Sequence, residues 1–322
     1  MAQLASITLA PSGFLNLSNA SQNILSVGNV WYDNSDNRLK YSFTKINAWS
    51  TGGALSTARY RLAGIGEQNA ALAFGGRIGL VSSCTEEYNG TSWGIGGALS
   101  TARYGLAGAG TQNAGLAAGG RTPVGNSLCT EEYNGSAWSA GGALSTARYL
   151  LAGVGTQNAG LAFGGYLGSP TFSNLSCTEE YDGTSWTAGG TLITGRSQLS
   201  GAGEQNAGLA FGGNPSLSCT EEYNGTSWST GGALIVGRGG SAGAGTQNAG
   251  LAFGGANPAA VSCTEEYNGT SWSATGALIN GRRNLAGAGT QEAGLAFGGA
   301  NPACVSCTEE YCKVAAISVC SL

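Results

Sequence analysis

Carboxylates, thiols and guanidinium groups recur through this sequence at fixed spacing, and these are the groups that could carry chemistry. The segment Cys-Thr-Glu-Glu-Tyr occurs six times, ending at Tyr88, Tyr133, Tyr181, Tyr223, Tyr267 and Tyr311. Neighbouring carboxylates are raw material for general acid–base catalysis. Six identical pairs, however, suit architecture better than one active site. These glutamates make up twelve of the 18 acids, and each repeat carries one arginine: Arg59, Arg103, Arg148, Arg196, Arg238 and Arg282. A partly buried carboxylate needs a partner. The reading is therefore a ring of structural Arg–Glu contacts, such as Arg103 with a glutamate of its repeat. Alternation along an extended strand puts Cys84, Glu86 and Tyr88 on one face, and Thr85 and Glu87 on the other.

Histidine is absent. That removes Ser–His and Cys–His nucleophile systems and the commonest general base, so no catalytic residue is assigned. Cys84, Cys129, Cys177, Cys219, Cys263 and Cys307 hold one position per repeat and read as small buried apolar residues. Equivalent positions should lie beyond the roughly 7 Å Cα limit of a disulfide. Cys304, Cys312 and Cys320 stand outside the repeat, as a closing disulfide or as exposed thiols. Cys304-x-x-Cys307 has zinc-like spacing but no second pair and no histidine. Asp33–Asn37 lacks the rest of a calcium loop and reads as a hairpin turn. No metal or cofactor is expected.

Only 10% of residues are charged, the net charge is −4, and no basic run occurs, which argues against a nucleic-acid partner. No apolar run approaches the ~18 residues of a spanning helix, so no membrane insertion is expected. The first residues lack the basic start and long apolar stretch of a signal peptide, and a soluble chain is expected.

The elements that position these groups follow from the period. Trp49, Trp93, Trp138, Trp186, Trp228 and Trp272 are 44, 45, 48, 42 and 44 residues apart. A period in the forties points to propeller blades or helical arrays. The 57 glycines recur every few residues, and each would cost a helix about 1 kcal/mol relative to alanine. Asn-Gly after Tyr88, Tyr133, Tyr223 and Tyr267, and Asp-Gly after Tyr181, mark tight hairpins. A Gln-Asn pair marks a second hairpin, leaving four short strands per unit. The last unit has Cys312-Lys313 in place of the turn and no following tryptophan, whereas the Trp49 strand precedes any complete unit. Closure of the last blade by the Trp49 strand is preferred to closure by Val314–Val319, because it leaves no open edge.

The order arginine, small-apolar strand, strand ending in Gly-Gly, variable loop, Glu-x-Tyr strand, turn and tryptophan resembles the kelch repeat, over residues 41–312. The resemblance implies an all-β, six-bladed kelch-type β-propeller of four-stranded antiparallel blades with a short N-terminal arm, and Gly-Gly, Tyr and Trp packed between blades. The arm with its hairpin is assigned to 1–40 and the propeller to 41–322. The copper ligands expected of kelch-like galactose oxidases are missing with the histidines, so that activity is not carried over.

Function is expected where the copies differ. The loops at 77–83, 121–128, 166–176, 214–218, 256–262 and 300–306 differ most and should share one face. Variable loops on a rigid scaffold are where binding concentrates. Arg77, Arg121, Tyr166, Phe172 and Asn214 are the candidate contacts, with neutral drift as the bland alternative. The segment GNVWYDNSDNRLKYSF resembles a short motif of phage tail and fibre proteins, G-x-x-W-Y-D-x-x-x-x-x-L-K-Y. This favours a non-enzymatic virion structural or appendage protein. Its arm would contact other virion proteins and its propeller a host-surface glycan or protein, with homo-oligomerisation open. A cytoplasmic kelch interaction module and a carbohydrate-active enzyme are the alternatives.

Overall fold

Turn chemistry cuts each repeat into four short strands, and the computed structural model shows how they assemble. It describes residues 6–9, 15–18, 28–33, 38–43 and 47–313, the first four stretches as backbone strands only. Two compact units are present, one of residues 1–47 with 313–322, the other of residues 48–312. In the first, Ser6–Leu9 pairs antiparallel with Leu15–Ser18, and Gly28–Asp33 with Arg38–Phe43. Asp33 stands opposite Arg38 in that register, and the turn expected at Asp33–Asn37 falls on residues 34–37, outside the described residues.

The second unit is a six-bladed β-propeller. Blade 1 contains, from the axis outward, Ala63–Glu67, Ala70–Phe74, Thr85–Tyr88 and Trp93–Ile95, all antiparallel. Blades 2 to 5 repeat this order. Blade 6 takes Ala286–Gly289, Gly294–Phe297 and Thr308–Lys313 from the end of the chain and Asn47–Gly52 from its beginning. The Trp49 strand thus closes the ring. Val314–Val319, the rival for that place, lies outside the described residues. The inner strands neighbour one another all the way round, with blade 6 against blade 1.

One arginine and one glutamate form the buried polar heart of each blade. Arg103 Nη1 lies 2.5 Å from Glu131 Oε1, and both side chains are almost wholly buried. Arg59–Glu86, Arg148–Glu179, Arg196–Glu221, Arg238–Glu265 and Arg282–Glu309 repeat the pair. Nη2 of Arg103 also donates to the Ala117 carbonyl. The other oxygen of Glu131 accepts the Ser100 N–H at 2.7 Å, tying the incoming connection to the blade. Removing one member of such a pair strands the other charge in a dry interior.

The blades are joined by a second set of contacts, each reaching back to the preceding blade. Tyr133 donates its hydroxyl to Glu87 at 2.6 Å, and Trp138 donates Nε1–H to Thr85 at 3.0 Å. Gln112, in the Gln-Asn hairpin, donates to the carbonyls of Ala71 and Tyr88. The pattern crosses the closure, where Tyr88 reaches Glu310, Trp93 reaches Thr308, and Gln68 reaches Gly294 and Tyr311. Glycine is required where connections cross: a Cβ on Gly97 would lie 2.1 Å from the Ser136 carbonyl oxygen.

A closed ring of backbone hydrogen bonds surrounds the axis just ahead of the inner strands. The N–H groups of Arg61, Gly105, Leu150, Gln198, Gly240 and Asn284 each donate to the carbonyl of the corresponding residue one blade earlier, at 2.6–2.9 Å. All six residues have φ between 52° and 65°. Glycine fills this conformation freely, and the four others are held in it by the ring.

Two measurements test this architecture. Arg103→Met is expected to cost about 3–5 kcal/mol in urea denaturation, because Glu131 is left buried and unpaired. Adding Glu131→Gln should recover part of the loss; a single variant as stable as the parent contradicts the pairing. The second measurement is alkaline titration. Burial, then the hydrogen bond to a carboxylate, pushes Tyr88, Tyr133, Tyr181, Tyr223 and Tyr267 up to about 12. In the unfolded chain a tyrosine ionises near pH ~10. The stability from neutral tyrosine is therefore complete below that pH and is lost as pH rises through about 12. Melting temperature should fall together with tyrosine ionisation in that window, and a flat profile would contradict the account.

Candidate functional site

Near-identity of the blades leaves specificity to the positions that vary. Two residues follow each repeat arginine: Tyr60-Arg61, Tyr104-Gly105, Tyr149-Leu150, Ser197-Gln198, Gly239-Gly240 and Arg283-Asn284. The first of each pair bridges to the first residue of the variable loop, as Tyr60 to Arg77, Tyr104 to Arg121, Tyr149 to Tyr166 and Ser197 to Asn214. Variable positions are thereby paired with variable positions around the mouth of the axis. This is the loop face. The Asn-Gly and Gln-Asn hairpins form the opposite, turn face.

Blades 1 to 3 build a belt of tyrosine and arginine. The Arg77 guanidinium carbon is 4.9 Å from the Tyr104 ring centre and 5.8 Å from that of Tyr60. Arg61 is 5.8 Å from both rings. Arg121 sits 5.2 Å over Tyr149, which meets Tyr104 and Tyr166 edge-on at 6.0 and 5.8 Å. Guanidinium groups over ring faces gain cation–π attraction and are held in place. Blades 4 to 6 carry no aromatic residue at the same positions and have Gly239, Ala256 and Ala300 among them, and a hollow of about 700 Å³ opens there, bordered also by Tyr60 and Arg61.

Of the residues singled out from sequence, Arg77, Arg121 and Tyr166 belong to the belt. Asn214 lines the hollow across the axis. Phe172 stands at the tip of the longest loop, 65% exposed, and enters none of the belt's ring contacts. Sequence reasoning passed over Tyr60, Arg61, Tyr104, Tyr149, Gln198 and Arg283. Their signal was present, because the two positions after the repeat arginine vary as widely as the loops do.

Charge separates sharply between the faces. Within residues 48–312, the arginines outside the buried pairs are Arg61, Arg77, Arg121 and Arg283, all at the loop face. None forms an ion pair among the described residues. The acids outside the CTEEY strands are Glu67, Asp182, Glu204 and Glu292, all exposed at turn-face hairpins. Asp182 is held well below the usual carboxylate range by hydrogen bonds from the Thr184 hydroxyl and the N–H groups of Ser185 and Thr184. Of the nine exposed large apolar side chains among the described residues, Ile78, Leu80, Val124, Leu128, Phe172, Ile193, Ile235 and Ile279 also lie in loop-face segments, and Ile95 lies on the outer strand of blade 1.

The repeat cysteines are not buried, contrary to their sequence reading. Cys84 and Cys129 are exposed, and Cys177, Cys219, Cys263 and Cys307 are half-buried. Each precedes its strand at the loop-face mouth of the blade, where the arginine takes the interior space. Nη1 of Arg148, Arg196 and Arg238 touches the neighbouring sulfur. Cys304 and Cys312 are free thiols as well, and Cys320 lies outside the described residues. No cluster of three metal-ligating side chains occurs among the described residues.

Comparison with known proteins finds no family model that matches the chain and no curated protein that matches it. The site is therefore read from its own residues.

Brief iodoacetamide treatment of the native protein should label Cys84, Cys129 and Cys312 ahead of the half-buried thiols, as read by peptide mass spectrometry. Buried cysteines would label only after unfolding.

Proposed function

We propose that this chain is a non-enzymatic binding component of a virion, an appendage protein whose propeller offers its loop face to a host-surface glycan or protein. The observation that carries the binding reading is the segregation just described. Arginines outside ion pairs, a belt of tyrosines and all but one of the exposed large apolar side chains among the described residues gather on one face, and the other carries repeated turns and acids. A charged surface of one sign steers and selects partners of the opposite sign.

Several features support a role without catalysis. The first glutamate of every CTEEY strand is neutralised by arginine, and the second accepts a tyrosine hydroxyl. The remaining acids of the propeller stand on exposed hairpins far from the loops. The virion setting, with the N-terminal arm as attachment to other virion proteins, rests on the W-Y-D motif of Gly28–Tyr41 and on the kelch-like repeat.

Mass spectrometry of purified virions should find the chain, and its absence there would remove the setting. For binding, the protein is probed on arrays of glycans and host-surface proteins. Replacing Arg77 and Arg121 together with Met should weaken capture about tenfold or more, the loss of ~1.4 kcal/mol or above. The pair Glu67→Gln and Glu204→Gln should leave it unchanged. Loss confined to the turn-face variant would overturn the assignment of the face.

A further inference from the structure

We infer that the hollow at the mouth of the axis is a subsite for an acidic saccharide, an inference that rests on the loop face being the binding face. Arg61, Gln198 and Asn284 of the closed backbone ring line it, and their N–H groups are used within the ring. Recognition therefore falls to side chains. Gln198, Asn214 and Asn284 line the hollow, and none of their amide groups makes a side-chain hydrogen bond among the described residues. The hairpin glutamines of the same chain behave differently, each binding two carbonyls of the neighbouring blade. A side-chain amide offers both donor and acceptor, which matches the paired hydroxyl groups of a sugar ring.

The charge of the lining selects the kind of sugar. Arg61 and Arg283, on adjacent blades, both border the hollow, and no acid does. Arg61 also shares the Tyr60 and Tyr104 rings with Arg77, so two cations face the same aromatic surface, and neither forms an ion pair among the described residues. A carboxylate or sulfate ester on the ligand relieves that repulsion and takes a charge-assisted hydrogen bond from a fixed guanidinium. Tyr60 at the rim supplies an amphipathic ring beside it. The volume, about 700 Å³, falls in the range of sites that enclose small organic ligands and suits one or two sugar rings.

Isothermal titration on the whole protein tests this with four probes: 3′-sialyllactose, a sulfated uronic-acid tetrasaccharide, lactose and a glutamate-rich peptide. At least one acidic saccharide should bind about tenfold or more tighter than lactose. Gln198→Gly keeps the left-handed backbone and removes the amide, and should weaken that saccharide at least about fivefold. Arg283→Met, at an exposed position, should narrow the acidic-to-neutral difference. Melting temperatures of both variants are expected to match the parent's within a few degrees. Binding of the peptide alone, binding of none of the probes, or saccharide binding unaffected by both substitutions overturns the inference. In each of those cases the loop-face reading still stands if Arg77→Met with Arg121→Met weakens partner capture on the arrays about tenfold or more, and falls if it does not.

Discussion

The structure depends on one buried ion pair, made six times. In each blade an arginine wholly withdrawn from water meets a glutamate equally withdrawn, and the pair ties a carbonyl of one strand and an N–H of the incoming connection to the strand that carries the glutamate. Around it pack apolar clusters of leucine, phenylalanine, tyrosine and alanine. A charge buried in such a place is tolerable only with its partner in position. The pair therefore selects one arrangement of the connection against many loose ones, and that arrangement sets where the variable residues emerge.

Between blades the logic changes from charge pairing to shared hydrogen bonds. Tyrosine to glutamate, tryptophan to threonine and glutamine to backbone carbonyl all point back one blade. Because every blade leans on its predecessor, the set is complete only when the ring closes, and blade 6 closes it with a strand from the other end of the chain. The interfaces consume the chemistry of the repeated residues. What is left for a partner is what the repeat does not use.

Much of this was legible in the sequence, and the reasons are local. Asn-Gly and Asp-Gly fix their hairpins whatever surrounds them, and the missing turn after Tyr311 with the spare strand at Trp49 exposed the closure. That each repeat arginine takes the first glutamate rather than the second was not legible. They lie on opposite faces of one strand, and which face turns toward the guanidinium is set by the packing of the blades. The cysteines misled because a small sulfur side chain in an apolar-looking strand resembles core, whereas the arginine fills that interior and leaves the thiol at the mouth. Tyr60, Tyr104 and Tyr149 escaped notice because they adjoin the repeat arginine and look like part of the repeat. The pairing of these positions with the loop residues across the mouth is a three-dimensional fact. So is the division of the face into an aromatic belt and an open hollow.

Hydrogen-exchange mass spectrometry of the propeller with and without a captured partner tests the central claim most directly, because it reads both faces in one experiment. The account predicts slowed exchange at 60–62, 77–82, 121–127 and 197–199, with hairpins such as 67–70 and 89–92 unchanged. Protection at those hairpins, with the loop segments unaltered, would contradict it.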